Sequence, residues 1–109
     1  MKYIRTKDEI IDLSKVTIGE NGWESIEEYI AFKQDDQQEP IKVADTIEEL
    51  CDYVDIQYKD GTWETYFYEN EFKIKLLFKK AKQVFYGIRT NKGLIYVAKM
   101  NDKGELELL

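Results

Sequence analysis

Two turn sequences constrain this chain more than anything else in it: Thr90-Asn91-Lys92-Gly93 and Asn101-Asp102-Lys103-Gly104. Each suits a type I turn closed by a glycine at positive φ, the loop of a bulged β-hairpin. The segments around them are rich in β-branched and aromatic residues, so Val84–Leu109 reads as a three-stranded antiparallel meander. In the middle strand, Leu94–Met100, strict alternation puts Leu94, Tyr96, Ala98 and Met100 on one face and Ile95 and Val97 on the other. Both faces are apolar, which predicts a central strand. Glu105-Leu106-Glu107-Leu108 alternates charge with leucine and predicts an edge strand that discourages further pairing.

At 109 residues the chain is long enough for one modest core, so a single globular domain over 1–109 is expected. Its 35% charged and 43% hydrophobic content belong to a soluble protein. No apolar run approaches the eighteen or so residues a membrane span needs, and Met1-Lys2-Tyr3-Ile4-Arg5-Thr6 has no apolar signal region, so a cytoplasmic protein is expected, with no membrane partner. One cysteine, Cys51, excludes an internal disulfide. The absence of histidine removes the commonest metal ligand and general base.

Earlier in the chain, Tyr3-Ile4 and Ile10-Ile11 flank Thr6-Lys7-Asp8-Glu9 and predict a first hairpin, although its turn lacks glycine. After Gly19-Glu20-Asn21-Gly22, the helical spacing of Trp23, Ile26 and Ile30 with a capping box at Ser25 and Glu28 predicts a helix over Ser25–Lys33. Tyr29-Ile30-Ala31-Phe32 keeps a strand open as the alternative. Gln34–Pro40 reads as a flexible loop and Ile41–Val43 as a short strand. Thr46 and Glu49 form a second capping box, predicting a helix of about two turns with Ile47, Leu50 and Cys51 inward. Tyr53–Tyr58 and Thr62–Phe67 then pair as a hairpin about Lys59-Asp60-Gly61. Over Glu69–Gln83 the alternation Phe72-Lys73-Ile74-Lys75-Leu76 suggests strand. Acids at the start, lysines at the end and helix-favouring residues decide for helix. The class is therefore α+β: an antiparallel sheet carrying the C-terminal three-stranded meander, with two or three helices packed on one face.

Ala44-Asp45-Thr46-Ile47-Glu48-Glu49-Leu50-Cys51-Asp52, the string Thr90–Leu109 and the opening Met1-Lys2-Tyr3-Ile4-Arg5-Thr6-Lys7-Asp8 resemble small uncharacterised prophage proteins of low-GC Gram-positive bacteria. The resemblance covers the two ends and one central motif, about half the chain. Before the Thr90 turn, the chain departs from it with Ile88 and Arg89. The resemblance implies a prophage origin and a bacterial cytoplasm, and no activity or site residues.

No residue pattern here points to catalysis. Cys51 stands among Glu48, Glu49 and Asp52, which disfavour a thiolate, so it reads as a buried structural cysteine. The adjacent pairs Glu27-Glu28, Asp35-Asp36 and Glu48-Glu49 diverge on a helix or lie in a loop, and read as solvated surface. They lack calcium-loop spacing, and the glycines form no phosphate loop. The protein is expected not to be an enzyme and to hold no metal or organic cofactor.

Charge is distributed unevenly. Residues 1–71 hold 19 Asp and Glu against 7 Lys and Arg, whereas residues 72–103 hold 1 against 9; the whole chain carries −6. Lys73, Lys75, Lys79, Lys80, Lys82, Arg89, Lys92 and Lys99 are interleaved with Phe78, Phe85, Tyr86 and Tyr96. Facing one another in the fold, acidic and basic segments would largely cancel. The leading expectation is binding to another protein, phage or host, through the acidic two thirds or by self-association as a homodimer. The alternative is single-stranded nucleic-acid binding through segment 72–100, with Lys73, Lys75, Lys79, Lys80, Lys82, Tyr86, Arg89, Lys92 and Tyr96 as candidate contacts. Acidic mimicry of DNA ranks third.

Overall fold

The computed structural model describes residues 1–68 and 81–109. The chain divides into two compact units, Met1–Leu50 and Cys51–Leu109. The class is α+β, with two antiparallel sheets of three and five strands and, among the described residues, one α-helix.

In Met1–Leu50, β1 (Tyr3–Arg5) lies between β2 (Ile10–Asp12) and β3 (Lys42–Ala44). Threonine replaces glycine in the β1–β2 turn: Thr6 Oγ1 accepts from the backbone N–H of Asp8 at 3.3 Å and of Glu9 at 3.2 Å. Helix α1 (Ile26–Asp35) starts where the capping box predicts. The Glu28 N–H donates to Ser25 Oγ at 3.1 Å, and the Glu28 carboxylate accepts from the Glu24 N–H at 3.0 Å. Tyr29 of α1 is buried with Ile4 and Leu13, and Ile11, Val16, Trp23, Ile26, Ile30 and Ile41 pack around them. The Gln34 side chain donates to Glu39 O at 3.0 Å and accepts from the Ile41 N–H at 2.9 Å, so the loop after α1 is hydrogen-bonded to the last turn of the helix.

The helix expected after Thr46 is a correction. Thr46 Oγ1 accepts from the Glu49 N–H at 3.3 Å, as a cap should, but only a single 3₁₀ turn, Glu48–Leu50, follows. The Asp52 N–H is already bonded to Gly87 O at 2.9 Å, so the backbone is committed to the sheet before a second turn could form. Ile47, Leu50 and Cys51 are nonetheless buried, as the pattern requires.

In Cys51–Leu109 the strands are β4 (Tyr53–Tyr58), β5 (Trp63–Phe67), β6 (Ala81–Thr90), β7 (Gly93–Met100) and β8 (Leu106–Leu108), in the order β5-β4-β6-β7-β8. The last three run side by side in chain order, but within a larger sheet and from Ala81 onward. The helix expected over Glu69–Gln83 falls mainly outside the described residues, and its last three, Ala81–Gln83, open β6. Two or three helices on one face are thus replaced by a second sheet and one α-helix among the described residues. No helix among them is long and apolar enough to cross a membrane.

Two register shifts re-aim side chains. Gln57 pairs with Gln83 but Tyr58 with Ala81, leaving Lys82 extra; Tyr86 pairs with Ala98 but Gly87 with Tyr96, leaving Val97 extra. The second shift breaks the expected alternation of β7. Leu94 and Tyr96 share a face with Lys99, while Ala98 and Met100 point the other way with Ile95.

Candidate binding face

Directly paired residues in a sheet project from the same face. One face of the five-stranded sheet is closed: Val54, Ile56, Val84, Tyr86, Ile88 and Ala98 are all buried, at 3% exposure or less. On the other, β4 presents Tyr53, Asp55 and Gln57 opposite Phe67, Thr65 and Trp63 of β5. Phe85, Gly87 and Arg89 of β6 continue it toward Lys99, Tyr96 and Leu94 of β7. Trp63, Phe67, Leu94 and Tyr96 stand 37–49% exposed. Such a run of adjacent, large, exposed apolar groups is uncommon on a chain with no partner.

The rings form a connected array. Trp63 stacks toward Phe85 with centroids 6.3 Å apart, and Phe85 on Tyr96 at 4.7 Å. Tyr96 meets Tyr53 at 6.2 Å, and Tyr53 meets Phe67 at 5.8 Å. The Arg89 guanidinium lies 4.6 Å from the Phe67 centroid and the Lys99 ammonium 5.9 Å from that of Phe85, both cation–π contacts.

Gly87 is what lets the tyrosines meet. A Cβ there would fall 2.3 Å from the Tyr53 ring, so the bare backbone is the floor over which Tyr53 lies. Beside it, Tyr53, Asp55, Thr65, Leu94 and Tyr96 line an open depression of about 250 Å³. Within it the Asp55 carboxylate accepts from Thr65 Oγ1 through Oδ1 and from the Tyr96 hydroxyl through Oδ2, each at 2.5 Å. Burial is the main reason the Tyr53 phenol is pushed up to about 12, with the Asp55 charge adding to it. Burial and the bond to Asp55 do the same for Tyr96, also to about 12. Both phenols are neutral near pH 7.

The candidate residues read from the sequence divide. Arg89 and Tyr96 lie on the open face. Tyr86 is 1% exposed and belongs to the closed face, since one residue along a strand reverses direction. Lys82 is the exposed extra residue of a bulge, and Lys92 sits in the β6–β7 turn. Lys73, Lys75, Lys79 and Lys80 lie outside the described residues. Trp63, Phe67 and Asp55 were not among the candidates. The period-two pattern of Tyr53–Tyr58 and Thr62–Phe67 groups Tyr53, Asp55, Trp63, Thr65 and Phe67, but the exposure of that face is not written in it.

Among the described residues no group of three or more His, Cys, Asp or Glu is placed to hold a metal ion. No protein family, curated protein or solved structure matches this chain.

Proposed function

We propose that this is a non-enzymatic prophage accessory protein of the bacterial cytoplasm that binds another protein, phage or host, through the aromatic face of its five-stranded sheet. The observation that carries the reading is the exposed, contiguous set Trp63, Phe67, Leu94 and Tyr96 with Arg89 among them. Trp, Tyr and Arg dominate the energetics of protein interfaces: the two aromatic residues cover a large area with few rotatable bonds lost, and Arg adds a planar fork of donors that also stacks on rings. The face takes β4 and β5 from the acidic two thirds of the chain and β6 and β7 from the basic segment, and its chemistry is chiefly apolar.

Single-stranded nucleic acid is the second reading, favoured by the same stacking surface. It ranks behind because the cations of this face among the described residues are Arg89 and Lys99, each lying over a ring, and Glu107 stands opposite Lys99. Phosphate binding draws on cations in excess, and the whole chain carries −6.

The test pairs capture with titration. Trp63→Ser with Phe67→Ser should abolish recovery of the partner from lysogenic cells, whereas Val43→Thr, on the exposed β3, should leave it intact. Labelled single-stranded oligonucleotides should bind weakly. Salt-sensitive binding lost in Arg89→Glu with Lys99→Glu would select the nucleic-acid reading. A stable dimer broken by the face variants would make the partner a second copy of this chain.

A further inference from the structure

We propose that the depression beside Gly87 receives an arginine side chain of the bound protein, its guanidinium held by the Asp55 carboxylate and set against the exposed Tyr96 ring. The inference rests on the protein-binding reading of the face and names the chemistry that reading leaves open.

Asp55 is the one acidic side chain lining the depression, half-buried beside Tyr53, Leu94 and Tyr96. Its carboxylate accepts from two hydroxyls, those of Thr65 and Tyr96, and it forms no ion pair among the described residues. A carboxylate without an ion-pair partner, set beside exposed apolar groups, is complementary to a cation arriving from outside. Each oxygen already accepts one bond. A carboxylate offers about four acceptor sites in all, which leaves one on each oxygen. A guanidinium brings several donors in a planar fork to such an acceptor, whereas an ammonium brings a point charge. Tyr96, 41% exposed, suits the same group: a planar, weakly hydrated guanidinium lies over an aromatic ring, as Arg89 does over Phe67 of this face. The depression, about 250 Å³, has room for a guanidinium and its last methylenes.

The test uses the full chain, isotopically labelled, and two peptides, Ac-Ser-Gly-Arg-Gly-Ser-amide and the same peptide with citrulline. Citrulline keeps the shape and removes the charge. The arginine peptide should shift the amides of Thr65, Leu94 and Tyr96 saturably in the millimolar range. The citrulline peptide should bind at least tenfold more weakly, and Asp55→Asn should erase that difference. Equal binding of the two peptides, shifts confined to other residues, or no shift with either would overturn the inference. The peptide comparison needs no variant, so it stands even where Asp55→Asn folds poorly. If the arginine preference is missing while Trp63→Ser with Phe67→Ser still loses the partner, the arginine site falls and the binding face survives. The reverse outcome leaves the site without that function.

Discussion

Replacing Gly87 with alanine should destabilise the five-stranded sheet, and the cost should vanish when the Tyr53 ring is removed. The added methyl would stand 2.3 Å from the ring, far inside contact distance, so the ring or the backbone must move. Overpacking of this kind costs about 1–3 kcal/mol. Should Tyr53 instead swing out, exposing roughly 100 Å² of ring now 3% exposed, the loss at 25 cal/mol per Å² is about 2.5 kcal/mol. Alanine returns roughly 0.5–1 kcal/mol through the unfolded chain, so the net is about 1–2 kcal/mol. With a urea slope of roughly 1–2 kcal/mol per molar, the midpoint falls by about 1 M. Trp63 fluorescence in a Trp23→Phe background reports this unit. In a Tyr53→Leu background, Gly87→Ala should be neutral or slightly stabilising, a coupling of about 1–2 kcal/mol. An undiminished cost in that background would refute the idea that the glycine exists to seat the ring.

Two further outcomes follow from local geometry. Ser25→Ala removes the acceptor for the Glu28 N–H and should cost about 1 kcal/mol, read as lost stability and helix content, while Ser25→Asp should restore both. Tyr53 and Tyr96 have folded values near 12 against an ordinary 10, so the stabilisation tied to their neutral forms is complete below pH 10 and lost as pH rises through 12. Absorbance at 295 nm should show a late-titrating class of phenols that Tyr96→Phe diminishes.

The hairpins were legible because turn chemistry is local. Gly93 and Gly104 take φ of 111° and 79°, as the two turn sequences demand, and Ser25 caps α1 as the S-x-x-E spacing says. The 3₁₀ turn at Glu48–Leu50 was not, because its length is set by the Asp52 bond to Gly87, a partner 35 residues away in the chain. Nor was the exposed aromatic face. A bulge at Val97, which no residue type announces, places Tyr96 and Lys99 on one side and Ala98 on the other. Basic and aromatic interleaving therefore pointed to Tyr86, one residue from the exposed row that Phe85 occupies. The aromatic array draws on β4, β5, β6 and β7, and only strand order joins its members.

The central claim, that the aromatic face meets a protein, is tested most directly by crosslinking in lysogenic cells with photoreactive benzoylphenylalanine replacing Leu94, beside the depression, or Val43, on β3. Position 94 should give a discrete protein adduct, lost with Asp55→Asn, and mass spectrometry should map it to an arginine-bearing peptide. Position 43 should give none. Adducts to nucleic acid from position 94, or protein adducts from position 43 alone, would contradict the account.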